Sequence, residues 1–146
     1  METAQIILED RGGRITALPG MREISMGRWE GLSMEQARRL FPGEYERRGT
    51  GPACHRPPEG ESFIDVRERV LPLFETILGD EEGPVLLVGH AGVNRVILCH
   101  ILGVPLDNLF RFGQGYGCMN IIVREKRSLR VDAMNLRPWI GFSSGY

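Results

Sequence analysis

The sequence predicts an α/β fold in which helices cover a mostly parallel sheet that carries an antiparallel edge. Three stretches carry that expectation. Residues 84–103, PVLLVGHAGVNRVILCHILG, pass from an apolar, β-branched run through a Gly-rich turn into a helix. Two helical patterns stand before it, each opened by the spacing of a capping box. Two apolar segments around a charged turn follow it, the pattern of a hairpin.

Residues 1–8 are helical in character, with no N-cap residue before them and Gly12-Gly13 as the stop. Residues 15–18 form a short strand candidate, broken by Pro19-Gly20, and 21–24 run into a loop at Gly27. Ser33 and Gln36 frame a short helix over 34–41, closed by Pro42-Gly43. Residues 44–61 are polar, with Arg47-Arg48, three prolines and several glycines, and read as a loop with room for one helical turn. Loops of that length in a compact domain tend to be lids or binding segments. Ser62 and Asp65 give the second capping box, and Phe63, Val66, Val70, Leu73, Phe74 and Ile77 follow on one helical face. Pro72 lies within that helix and is expected to kink or split it, since it removes a backbone hydrogen bond.

In the central stretch, 85–88 read as a strand buried on both faces. Gly89-His90-Ala91-Gly92 turns the chain, and Val93, Val96, Ile97 and Ile101 then recur at helical spacing until Gly103 and Pro105. Residues 109–116 are a Gly-punctuated connection containing Arg111 and Gln114. Residues 118–123 and 129–134 are the two hairpin strands, around Glu125-Lys126-Arg127-Ser128. The tail, 136–146, is irregular, and its Trp139 and Phe142 suit a core cap or a contact equally.

A length of 146 residues suits one domain, 1–146. The net charge is −1 and the basic residues are scattered, which argues against a nucleic-acid partner. No apolar run is long enough to span a bilayer, and no basic segment leads into an apolar one as in a secretion signal. Cys54, Cys99 and Cys118 lack CxxC spacing, so neither a zinc site nor a disulfide framework is implied. The reading is a cytoplasmic protein without metal or cofactor.

The chemistry-bearing residues are few. His90 sits where a strand feeds a helix, the edge at which open α/β folds bind ligands. The helix start at Ala91 and Gly92 offers unpaired N–H groups and a positive dipole end, an anion site. Glu23 and Glu30 flank the Gly27 loop, and Glu61-Ser62 opens a helix. A carboxyl group and a histidine brought together across a cleft suit general acid–base work. Glu30 reads better as an exposed loop charge, and spacing alone leaves Glu23 open between the two roles.

MREISMGRWEGLS (21–33), PPEGESFIDVRERV (57–70) and VLLVGHAGVNRVILCHILG (85–103) together resemble the histidine phosphatase superfamily. The branch is the phosphoglycerate-mutase-like one that includes α-ribazole phosphatases. METAQIILE (1–9) resembles the helix that in the family follows a Ser-Pro-Leu-x-Arg-Ala segment. The resemblance implies a three-layer α/β sandwich and a small phosphorylated metabolite or inorganic phosphate as ligand. It implies that His90 is the family's second histidine, which contacts the transferred phosphoryl group. Glu23 becomes the carboxyl that protonates the leaving oxygen, and Glu61 and Ser62 the segment near the substrate. The family mechanism runs through a phosphohistidine, with arginines and the second histidine holding the phosphoryl oxygens.

One part of the pattern is missing. The family's nucleophile lies in an Arg-His-Gly motif after its first strand, and this sequence has no such motif. His55 follows no apolar strand, and His100 falls inside an apolar helix. Against the family, the chain reads as lacking its N-terminal portion, on the order of fifty residues, comparable to a βαβ unit with its flanks. Three expectations follow. The chain alone has no turnover; it is poorly stable or fills the gap by exchanging a strand with a second copy; and the natural protein carries the upstream residues. Beside a phosphomonoesterase, the sequence leaves open a non-catalytic relic that binds a phosphorylated ligand or a partner, and, within the family, a phosphoglycerate mutase.

Overall fold

The computed structural model describes residues 2–9, 12–80, 83–126 and 128–137. The helices are α1 (Glu2–Leu8), α2 (Met34–Leu40), α3 (Pro42–Thr50), α4 (Phe63–Asp80) and α5 (Ala91–Leu102). Single 3-10 turns lie at Pro19–Met21, Gly27–Trp29 and Leu106–Arg111, and the strands β1 (Met119–Glu125) and β2 (Ser128–Leu136) close the order.

Local chemistry accounts for the helix starts. Ser33 Oγ accepts the Gln36 N–H at 3.2 Å while the Gln36 side chain accepts the Ser33 N–H at 2.7 Å, a complete capping box. Ser62 and Asp65 repeat the exchange at α4, at 3.2 and 2.7 Å. Gly103, at φ 65, terminates α5 in the left-handed conformation that glycine adopts without strain.

The core lies between α4 and α5. Phe63, Val66, Val70 and Phe74 of α4 meet Val93, Val96, Ile97 and Cys99 of α5, with Leu109 beneath them. Spacings of three and four residues put the α4 set on one face, as its pattern requires. Pro72 does not split α4, which runs as one element of 18 residues. It faces away from the buried residues, so its missing N–H falls on a side where a carbonyl is not committed to the core.

The hairpin forms as expected, antiparallel, with Val123 opposite Arg130 and Glu125 opposite Ser128. It is the only sheet among the described residues, and the expected mostly parallel sheet is absent from them. Residues 84–90 form neither a helix nor a paired strand among the described residues. The expectation of burial on both faces fails there, with Val85 45%, Leu86 60%, Leu87 40% and Val88 44% exposed. A strand is defined by its neighbours, and no described segment lies alongside this one to take its N–H and C=O groups. Residues 15–18 are likewise not a strand, for the same reason.

The polar stretch after Pro42 is more helical than its composition suggested. Pro42 opens α3 rather than only closing α2, because proline's fixed φ suits the first helical position. α1 buries none of its residues. The expected roles of Trp139 and Phe142 lie outside the described residues.

Candidate active site

Glu23 lies in the irregular segment after Pro19–Met21, and its side chain reaches the start of α5. Oε2 accepts the Gly92 N–H at 3.0 Å and Oε1 accepts the Ile24 N–H at 2.9 Å. The N–H groups of a first helical turn have no partner within the helix, and the dipole there favours a negative group. Gly92 leaves the space this contact uses. A Cβ at that position would collide with Glu23 Oε1 and come within 3.3 Å of Ile24 Cγ2.

His90 is the N-cap of α5, in extended backbone at φ −124 and ψ 159. Its carbonyl accepts the Asn94 N–H at 2.9 Å, while its imidazole makes no capping bond and is exposed. Glu23, His90, Ala91 and Gly92 therefore converge on one helix end. The helix end carries an exposed histidine at its N-cap and a carboxylate bonded to its second residue, groups that suit an anion whose leaving oxygen needs a proton.

Glu61 stands behind this end. Its Oε1 accepts from Arg22 Nη2 at 3.0 Å and Arg69 Nε at 2.8 Å, and its Oε2 from Ser25 N at 2.9 Å and Arg69 Nη2 at 2.9 Å. The Arg69 bonds, joined by the Ser25 N–H, hold its carboxyl below the usual carboxylate range, against a burial cost that acts the other way. Ser62 is 4% exposed, and its hydroxyl donates to Asp65 Oδ2 at 2.7 Å. Among the described residues, neither Glu61 nor Ser62 bonds to the Glu23 carboxylate.

The loops carrying Glu23 and Glu61 meet backbone to backbone. Arg28 N donates to Pro58 O at 2.9 Å and Glu61 N to Ser25 O at 2.8 Å. Gly27, at φ 52, and Gly60 make this approach possible, since a Cβ on Gly27 would strike Pro58 O and one on Gly60 would lie 2.8 Å from Ser25 O.

Sequence reasoning did not single out Arg69 or Trp29. Arg69 sits eight residues after Glu61 in the 57–70 motif, but a charge on an amphipathic helix reads as solvated until its partners are seen. Trp29 is buried beneath α2 and α3, its ring 6.2 Å from Phe41 and Tyr45 and 5.6 Å from His55. His55 thus belongs to an aromatic cluster, and His100 lies in the last turn of α5, the end opposite His90. No group of three or more His, Cys, Asp or Glu among the described residues is placed to hold a metal. No helix among them is long and apolar enough to cross a membrane.

Comparison with known proteins turns this geometry into a family assignment. The model of the histidine phosphatase superfamily, branch 1, matches residues 1–137. The chain belongs to that superfamily. It is 30% identical over 117 residues to the glucosyl-3-phosphoglycerate phosphatase of Mycolicibacterium vanbaalenii, covering 74% of this chain and 51% of that protein. The solved structure of Bacillus stearothermophilus YhfR matches with a TM-score of 0.83 at 30% identity, over 92% of this chain and 67% of that one. A mycobacterial glucosyl-3-phosphoglycerate phosphatase solved with VO3 matches with a TM-score of 0.81 at 26% identity, over 93% of this chain and 70% of that one. The chain thus spans about half of the curated relative and two thirds of the solved ones. Its neighbours have the α/β fold that the sequence predicted, and its own described residues form the helices and the antiparallel hairpin.

Proposed function

We propose that the protein is a phosphomonoesterase acting on a small phosphorylated metabolite, with Glu23 and His90 in its site. The observation that carries this is the Glu23 carboxylate on the Gly92 N–H, directly after His90. In this reading the Ala91 N–H at the start of α5, with the His90 imidazole, holds the phosphoryl oxygens, while the Gly92 N–H holds the Glu23 carboxylate beside them. Glu23 passes a proton to the leaving oxygen. Glu61 and Ser62 act from behind, Glu61 by ordering the 22–25 segment and Ser62 by starting α4. The names of the relatives, phosphatases of glucosyl-3-phosphoglycerate and, at 24% identity, of α-ribazole phosphate, support the phosphomonoester class without choosing a substrate.

A histidine nucleophile does not come from these residues. His55 is held in the aromatic cluster and His100 at the far end of α5. The 146-residue chain alone is therefore expected to be inactive, and the test is p-nitrophenyl phosphate hydrolysis by it and by a form extended upstream. Activity in the extended form only, lost in Glu23→Gln or His90→Ala, supports the reading. Activity of the short chain refutes the account of the nucleophile, and silence in both refutes the phosphatase.

The same placement of His55 and His100 favours one second reading, a protein that binds phosphate without turnover. Inorganic phosphate bound by the short chain and released in His90→Ala, with no hydrolysis in either form, would select it. The uncovered 85–88 segment supports pairing with a second copy by strand exchange, read by sedimentation. The free Cys54, Cys99 and Cys118 suit a reducing cytoplasm.

A further inference from the structure

We infer that Arg69 is a positioning residue that sets the Glu23 carboxyl against the start of α5. The inference rests on the reading of Glu23 as proton donor and adds the group that aims it.

The Arg69 guanidinium has five N–H donors, and all five are used. Nε and Nη2 hold Glu61 Oε1 and Oε2 at 2.8 and 2.9 Å. Nη1 donates to Gly20 O at 2.7 Å and Arg22 O at 3.0 Å, and the second Nη2 donor reaches Glu23 O at 3.2 Å. Three carbonyls within four residues of chain are thus gathered on one planar cation. The Glu61 carboxylate, fixed by the same cation, takes the Ser25 N–H on the other side of Glu23.

The two flanks of Glu23 differ in how they are held. Beyond it, Ser25 and Arg28 are bonded to the 58–61 loop. Before it, Gly20 and Arg22 are joined to α4 through Arg69. The Glu23 carboxylate must meet one N–H at hydrogen-bond distance, so a small shift of its backbone breaks the contact. Lysine, with three donors on one atom, cannot bridge three carbonyls and both carboxylate oxygens.

The test follows the Gly92 amide resonance of the 146-residue chain as pH is varied. That amide should report ionisation of the carboxyl it donates to. Arg22 on its own loop, Glu61 on the 58–61 loop and Arg69 on α4 are the charged groups bonded around the segment that carries Glu23, and His90 lies two residues before Gly92. Glu23→Gln therefore assigns the Glu23 step by removing it, and His90→Ala removes the imidazole step.

The expected result is loss of the Glu23 step in both Arg69→Lys and Arg69→Gln, in chains whose circular dichroism matches the parent. Arg56→Gln breaks the paired bonds of Arg56 to Asp65 at the head of the same helix and should leave the step intact. A step that persists in a folded Arg69 variant overturns the inference. So does loss of fold in both Arg69 variants, since Arg69 would then be a general structural group. No phosphate is present, so failure to bind phosphate or to turn over sinks the phosphatase reading without deciding this test.

Discussion

The His55 ring lies 5.6 Å from the Trp29 ring, centroid to centroid, and its side chain is only 6% exposed. Burial pushes the imidazole below its ordinary value, Arg48 and Arg47 act the same way, and Glu44 opposes them. Among the described residues, His55 Nε2 has no hydrogen-bond partner. Between the lowered folded value and the ordinary value of about 6.5, the unfolded chain holds a proton that the folded chain does not. Acidification through that window therefore favours unfolding. The urea midpoint should fall between pH 7.5 and pH 5, and His55→Phe should reduce the fall. A midpoint with the same pH dependence in both proteins would contradict this.

Glu61 has the opposite sign. Its carboxyl is held low by Arg69, so its contribution to stability is present above the unfolded value and lost as pH falls through the folded one. Glu61→Gln should cost about 2–3 kcal/mol at pH 7, from charged hydrogen bonds lost in a partly buried setting. The difference between the two proteins should shrink in acid. A constant difference from pH 7 to pH 3 would be wrong for this account.

Gly92→Ala reads the Glu23 contact through stability. Alanine is favoured over glycine inside a helix by about 1 kcal/mol, but here its Cβ would meet the Glu23 carboxylate. The substitution should destabilise the parent protein and become neutral or stabilising in a Glu23→Ala background, as measured by thermal midpoints. Additive effects would show that the carboxylate does not occupy this position.

Two glycines with positive φ separate strain from collision. Gly31, at φ 73, has open space around its Cβ position, so Gly31→Ala should cost about 1–2 kcal/mol from backbone strain alone. Gly27, at φ 52, would also drive its Cβ into Pro58 O. Gly27→Ala should cost clearly more in denaturant titration. Equal costs would mean that the two loops are not in contact.

How much of this was legible in the sequence depends on the range of the interaction. The caps at Ser33 and Ser62, the core stripe of α4 and the hairpin follow from residues three or four apart, or joined by a tight turn. α3 was underestimated because its polar composition masked a proline well suited to a first helical turn. The resemblance implies that Glu23 and His90 share a site, and the bond from the Gly92 N–H to Glu23 spans 69 residues with no local pattern to announce it. Arg69 and Trp29 are not legible: Arg69 gathers carbonyls 46 to 49 residues away beside the nearby Glu61, and Trp29 packs on rings as far as His55, in segments without a common pattern. Residues 85–88 carry the composition of a buried strand, but burial is a property of neighbours.

Leu86 is the most exposed of those four. Leu86→Lys should reduce self-association in sedimentation with little change in thermal midpoint, since charged edge residues deter strand pairing. A large loss of stability would mean that the side chain is already covered in solution.

Residue 90 also marks a boundary in local opening. Among the described residues the amides of 85–88 have no acceptors, whereas those of α5 from Asn94 onward are bonded within a helix whose inner face is core. In the monomer, amide hydrogen exchange should change abruptly over a few residues, from rates near those of an unstructured peptide to protection set by opening of the α4–α5 core. The Gly92 amide falls inside that step, bonded to a side chain rather than to its own helix. Its exchange rate thus measures how often the Glu23 carboxylate lets go, separately from how often the helix unwinds.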